Sequence, residues 1–333
     1  MSSAALPPLA DVLATARVVS LPLAARFRGI RVREAVVFEG PEGWTEFSPF
    51  VEYTDAEAST WLAGALDYGW RPSPAPVRET VGINATMPAV AASEVPRILA
   101  RYDGCRTVKV KVAEAGQTLA DDVARVRAVR EAVGPEGRVR VDANAAWNVD
   151  EAERAVHALA EFDLEYVEQP CAEVDELAQL RERIAYLDIP VAADESVRKA
   201  ADPLRVARAG AADLLVIKAQ PLGGVHAARE IVAQAGLPAV VSSALDTSIG
   251  LSMGVALAAS LPDLEYDCGL GTASLFTADV VASPLRAHEG LLRVERPRPT
   301  TADLDRVAAD DDRTTWWLDR LRRCHALLQI TPR

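Results

Sequence analysis

Residues 105–112 read CRTVKVKV, and five later stretches repeat the plan: GRVRVDAN at 137–144, LEYVEQP at 164–170, IPVAADES at 189–196, DLLVIKAQ at 213–220 and PAVVSSAL at 238–245. Each is a short apolar run ending in a charged or polar group. Between them lie helix-like stretches, among them LADDVARVRAVREAV from Leu119 and VDEAERAVHALAEF from Val149. VGINATM from Val81 precedes the series and LEYDCGL from Leu264 follows it, so strand and helix alternate through eight rounds. Such alternation predicts parallel βαβ units, and eight of them predict an α/β fold closed into a (β/α)8-type barrel. The competing architecture is an open doubly wound sheet. Its glycine-rich dinucleotide fingerprint is missing, because Gly223 and Gly224 follow the sixth strand without a GxGxxG pattern.

Outward from the barrel, RVREAVVFEG from Arg31 and PEGWTEFSPFVEY from Pro41 read as two strands around a Gly/Pro turn, and Asp55 is placed to cap a helix through Trp61 to Tyr68. The segment RPSPAP at 71–76 breaks regular structure and marks a boundary. The expected organisation is an α+β capping domain over 1–76, a barrel over 77–285, and a segment 286–333 that returns to the cap. RTTWWLDRLRRCHALLQI from Arg313 is the amphipathic helix of that return, with Trp316, Trp317 and Leu321 available for packing.

Composition narrows the function. The 333 residues are 50% hydrophobic and 25% charged, which is globular usage. A net charge of −12 argues against the phosphate backbone of nucleic acids as a partner. No apolar run is long enough to span a bilayer and no signal-peptide pattern opens the chain, so membrane insertion is not expected and a cytoplasmic location is. Cys105, Cys171, Cys268 and Cys324 show neither a CxxC pair nor zinc-like spacing. Of 36 basic residues only Lys109, Lys111, Lys199 and Lys218 are lysine. Arginine keeps its proton at any useful pH, whereas a lysine amine can lose it and act as a base.

In a barrel of this kind the active site is assembled at the C-terminal strand ends. Those ends carry Lys109 and Lys111, then Asp142, Glu168, Asp194 and Lys218, then Ser242 and Ser243. A single strand-end Asp or Lys is ordinarily just exposed, but this set recurs at about one βα unit and so converges on one mouth. Three carboxylates there repel one another and call for a cation, and an all-oxygen set suits a hard ion, Mg2+ with Mn2+ as a substitute. Lys109 and Lys111 are two apart on a strand and share a face, opposite the valines at 108, 110 and 112. His157, His226, His288 and His325 fall outside the set.

The KxK of the second strand, with VDANAAW, YVEQP, AADES and VIKAQPLGG, resembles the muconate-lactonizing subgroup of the enolase superfamily, from about Ile83 to Leu270. The resemblance implies a modified barrel with an α+β cap, Asp142, Glu168 and Asp194 as Mg2+ ligands, and Lys111 and Lys218 as the acid/base pair. A lysine base beside Mg2+ is a pairing already on record for this superfamily. By the same resemblance Lys109 tunes Lys111, Asn144 and Glu195 support the ligands, and Ser243 and Ala244 support the site or touch a small carboxylate substrate. FRGIRVREAVVFEGPEGWTEFSPFVEY and SSALDTSIGL are similar to members that dehydrate 2-succinyl-6-hydroxy-2,4-cyclohexadiene-1-carboxylate to 2-succinylbenzoate for menaquinone biosynthesis, a carbon–oxygen lyase reaction. Racemisation of N-succinylamino acids is the alternative within the subgroup, and a non-catalytic binding barrel the alternative outside it. Peptide epimerases of the family imply an acidic pair near the eighth strand, where LEYDCGL offers only Asp267.

Overall fold

Three antiparallel strands open the chain: β1 (Arg17–Phe27), β2 (Ile30–Gly40) and β3 (Gly43–Phe47), in the order β1-β2-β3. The computed structural model describes residues 6–27, 29–198 and 202–330, and Lys199 lies outside them. β2 and β3 fall on the two runs expected as strands. β1 was not expected, and its sequence explains why. VVSLPLAARF holds Pro22, which cannot donate to a ladder and is tolerated only at an edge, and the register with β2 shifts between Pro22 and Phe27.

The helix Asp55–Trp70 follows, and here the expectation needs correction. Its cap is Thr54, in extended conformation, whose side chain accepts from the Glu57 amide 3.2 Å away. Asp55 is already helical, and its carboxylate accepts from Arg323 at 2.6 Å.

The barrel sheet contains seven parallel strands: β5 (Ala85–Met87), β6 (Thr107–Lys111), β7 (Arg138–Asp142), β8 (Leu164–Glu168), β9 (Val191–Ala193), β10 (Leu214–Ile217) and β11 (Ala239–Val241), neighbours in chain order. Two expectations fail at the seam. VGINATM is divided at Ile83–Asn84: β4 (Thr80–Gly82) pairs antiparallel with an unexpected strand, β12 (Leu291–Arg293), and only Ala85–Met87 joins the barrel. LEYDCGL makes isolated parallel bridges, Ile83 to Cys268 and Ser242 to Gly269, instead of a full strand. Those bridges still close the ring, because the Asn84 amide donates to the Cys268 carbonyl at 2.9 Å and the Gly269 amide to Val241 at 2.8 Å. A Cβ on Gly269 would lie 2.4 Å from Ser242 Oγ, so glycine permits this approach.

Alternation along the strands divides the core. Tyr166, Ala192, Leu214, Val216 and Val240 fill the barrel interior below the mouth, while Val108, Val110, Val139, Val141 and Val167 face the surrounding helices. A separate cluster joins Val36, Phe38 and Phe47 of the sheet to Trp61 and Leu62 of the helix Asp55–Trp70, and to Trp317, Leu321 and Cys324 of the last helix, Asp311–Ile330. The C-terminal segment thus packs against the first.

A buried carboxylate joins this layer to the barrel. Glu46, on β3, accepts from the amides of Thr247 and Gly250, both at 3.1 Å, and from the Thr247 hydroxyl, at the start of the helix Ser248–Ser260. Its negative charge meets the unsatisfied amides and positive end of that helix.

Trp317 is fully buried, stands edge-on to Phe47 with ring centroids 6.0 Å apart, and donates its indole N–H to Glu34 at 2.9 Å. Trp317→Ala should cost about 3–5 kcal/mol of unfolding free energy, read by urea titration, since it leaves a large cavity in the cap core and removes one hydrogen bond to Glu34.

Candidate active site

The barrel register sets the site. Lys111 pairs with Asp142 across β6 and β7, and Asp142 pairs with Glu168 across β7 and β8, so three charged residues stand in one row. Asp194 follows β9 directly and Lys218 follows β10.

Side-chain contacts bind this row together. Lys109 Nζ donates to both Glu168 oxygens, at 2.8 and 2.9 Å, and lies 3.3 Å from Asp142. Lys111 Nζ donates to Asp142 and, at 2.8 Å, to Asn144 Oδ1. Asn144 Nδ2 donates to Glu195 Oε1 at 3.3 Å. Across the mouth Lys218 donates to Asp194.

Lys109, Lys111, Asp142, Asn144, Asp194, Lys218, Ser243 and Ala244 line one cavity. Glu168 does not reach its wall. It is fully buried behind Lys109, and Glu195 stands to the side, joined to the cavity through Asn144. Ser243 Oγ donates to the Gly269 carbonyl at 2.8 Å and lies 2.8 Å from the Thr272 hydroxyl. Asp267 is not in the mouth at all: it accepts from Thr107, at the start of β6. The four histidines are elsewhere as well, His157 beside Tyr186, His226 on Asp67, His288 on Asp103 and His325 on the Pro7 carbonyl.

The cavity holds further residues that sequence reasoning did not single out. Arg198 is nearly buried and lies four residues past Asp194, a helical spacing that could have flagged it. Thr86 is the middle residue of β5, paired with Lys109 in the parallel register, and could have been read with that lysine. Phe27 comes from the end of β1, its ring 5.8 Å from Lys111 Nζ, and no local signal connects that edge strand to the mouth. Gln169 is hidden but organises the carboxylate row, since its Oε1 accepts from the Asp194 amide at 2.8 Å and the Ser196 amide at 3.1 Å.

Burial alone would neutralise these carboxylates. At Asp142 burial is outweighed by the ammoniums of Lys111 and Lys109, which hold the carboxyl well below its usual range. At Asp194 burial is likewise outweighed, by Lys218 and Arg198. Glu168 goes the other way, pushed up to about 7 by burial and by the charge of Asp142, against the pull of Lys109. Burial lowers the proton affinity of Lys218, opposed by Asp194, while Lys109 is raised despite its burial, first by Glu168 and then by Asp142.

The fit to a metal follows from these groups. Among the described residues no three of the His, Cys, Asp and Glu side chains enclose an ion, and lysine ammoniums stand between the carboxylates. The donor set is nevertheless all oxygen, and Asp142, Glu168 and Asp194 are buried together at one end of the barrel. A divalent cation matches both features.

The loop beyond β11 is held from outside the barrel. Leu245 has φ of +65°, a strained value for leucine, and its carbonyl accepts from Arg33 Nε at 3.1 Å. Arg33, on β2, stacks on Phe50 with 4.3 Å to the ring centroid. Next to it Asp246 is buried, and burial together with the charge of Glu46 pushes its carboxyl up to about 7, against Arg33. An acid whose folded-state value exceeds the unfolded one, near 3.9, binds its proton more tightly when folded. Its cost is therefore absent below about pH 4, grows as pH rises toward 7, and is complete above. Asp246→Asn should be more stable than the parent by roughly 1–4 kcal/mol at pH 8, with the gap narrowing at pH 5, in paired denaturant titrations.

Comparison with known proteins gives the family and the fold. Residues 18–69 match the family described as Enolase N-terminal domain-like, and residues 92–299 the family described as Enolase C-terminal domain-like. The chain is 55% identical over 323 residues to a Mycolicibacterium smegmatis protein named o-succinylbenzoate synthase, covering 97% of this chain and 98% of that one. In fold it is similar to the N-succinyl Arg/Lys racemase from Bacillus cereus, with a TM-score of 0.74 at 19% identity over 89% of this chain and 98% of the other. The muconate lactonizing enzyme from Pseudomonas putida gives 0.72 at 19% identity, over 88% and 98%. No helix among the described residues is long and apolar enough to cross a membrane.

Proposed function

Because this chain belongs to the enolase superfamily, whose members use a divalent metal, we propose that it is an o-succinylbenzoate synthase, a hydro-lyase of menaquinone biosynthesis acting in the cytoplasm. One observation carries the proposal: the near full-length identity to the M. smegmatis protein, on a chain whose Lys111, Asp142, Asp194 and Lys218 line one cavity. The substrate is 2-succinyl-6-hydroxy-2,4-cyclohexadiene-1-carboxylate and the product 2-succinylbenzoate.

Asp142, Glu168 and Asp194 would hold Mg2+, for which Mn2+ can substitute. When bound, the cation supplies positive charge to the substrate carboxylate as negative charge builds there. Lys111, as a free amine, takes the proton from the ring carbon bearing that carboxylate. The electron pair left behind spreads into the carboxylate, facing the ammonium of Lys218. It then returns to form the ring double bond to the neighbouring carbon, whose hydroxyl leaves with the proton carried by Lys111, as water. Proton and hydroxyl balance, and aromatisation drives the step.

The protein's remaining groups prepare this chemistry. Asn144 holds Lys111 at 2.8 Å. Lys111 also donates to Asp142, which fixes its amine from a second direction. Lys109 binds Glu168 and Asp142 together, at the base of the site. Phe27 closes one side as an apolar wall, which limits water and suits a six-membered ring.

A second reading rests on the two lysines themselves. Lys111 projects from β6 and Lys218 follows β10, on different sides of one cavity, as a two-base racemisation of N-succinylamino acids requires.

Lys111→Arg should lower turnover at least about 10³-fold, because a guanidinium keeps its charge but cannot serve as base. Lys218→Ala should be impaired comparably, and chelation should abolish activity until Mg2+ is restored. A side-by-side assay of the purified protein should show rapid formation of 2-succinylbenzoate. Rapid racemisation of an N-succinylamino acid with no 2-succinylbenzoate formed would favour the second reading.

A further inference from the structure

Arg198 joins the cap to both lysines through a continuous set of hydrogen bonds. Its Nη1 donates to the Tyr53 hydroxyl at 3.3 Å, its Nε to Asp194 Oδ1 at 3.1 Å and its Nη2 to Glu195 Oε1 at 2.7 Å. From Asp194 the chain continues to Lys218, which donates to the other carboxylate oxygen. From Glu195 it continues through Asn144 to Lys111.

Burying a guanidinium at 3% side-chain exposure costs free energy unless each face of the fork is matched. Here the matching comes from three directions, two carboxylates of the barrel and one hydroxyl of the first 76 residues. Tyr53 is itself buried, with Phe50 5.5 Å and Trp61 6.0 Å away between ring centroids, so its hydroxyl is fixed by packing of the cap. Arg198 and Glu195 share the short helix Glu195–Arg198, so the guanidinium and the carboxylate it binds are anchored on one backbone segment.

We propose that Arg198 is a positioning residue through which the seating of the cap sets the orientation of Asp194 and Glu195, and with them metal affinity and the placement of Lys218 and Lys111. The inference rests on Asp194 being a metal ligand and adds that the cap controls it. A lysine at this position would keep the charge, but it has one point of attachment where the fork has three.

The test uses the full chain and Mn2+ as probe, with bound metal read by electron paramagnetic resonance and kcat and KM measured at saturating Mn2+. Tyr53→Phe keeps the aromatic packing and removes only the hydroxyl. It should weaken Mn2+ binding by about tenfold and lower kcat more than it raises KM. In an Arg198→Lys background the same change should alter Mn2+ binding less than about twofold, because the link is already broken and the two effects are not additive. Tyr53→Phe with parental Mn2+ binding and kcat would overturn the inference, as would an equal penalty in both backgrounds. If Arg198→Lys does not fold, the Tyr53→Phe measurement decides alone. Asp194→Asn separates the premise from the inference: retention of parental Mn2+ binding there would remove Asp194 as a ligand, whereas loss of binding there with no effect of Tyr53→Phe would remove only the role given to Arg198.

Discussion

Charge cannot be buried singly, and the architecture of this protein follows from obeying that constraint at one end of a barrel. Asp142, Glu168 and Asp194 are all almost wholly removed from water. Each would take up a proton without a counter-charge. Lys109 answers Glu168 and Asp142, Lys111 answers Asp142, and Lys218 and Arg198 answer Asp194. The rest of the chain holds these opposites at fixed spacing. Parallel register supplies the row, the apolar barrel interior supplies its floor, and Gln169 holds the backbone after β9 to the one after β8.

The cap completes the mouth by polar contacts as well as by apolar packing. Glu46 occupies the start of the helix Ser248–Ser260, and Arg33 holds the carbonyls of Ala244 and Leu245. Gly64 brings the helix Asp55–Trp70 so close that a Cβ would stand 2.8 Å from the Gln220 carbonyl, in the segment just beyond Lys218. Cap and barrel therefore meet on the loops after β10 and β11, where the cavity wall is built. A change of cap sequence at these points acts on the site without touching substrate.

The sequence made the barrel and its charged row legible because both depend on local patterns. Period-two alternation shows which way Lys109, Lys111, Asp142 and Glu168 point, and the recurrence of strand ends brings them together. Several contacts between distant segments were not legible. β12 is three residues whose partner, β4, lies some two hundred positions earlier. The eighth round lacks a ladder because its neighbours accept it through single bridges, which no propensity records. Phe27 and Tyr53 reach the site only after the cap has folded onto the barrel. Arg198 was different, since its helical spacing from Asp194 was visible while its connection to the cap was not.

The packing of Trp317 against Phe47 also sets an order for biosynthesis. The first half of the cap, including Trp61, leaves the ribosome about 250 residues before Trp317 does, which at about 5–20 residues per second is a wait of roughly 12–50 s. During that interval Val36, Phe47 and Leu62 have no helix Asp311–Ile330 to cover them. The nascent chain thus carries an open apolar face while the whole barrel is made. A chain released before the helix Asp311–Ile330 is made would keep that face open to water, although the charged row of the barrel is already encoded.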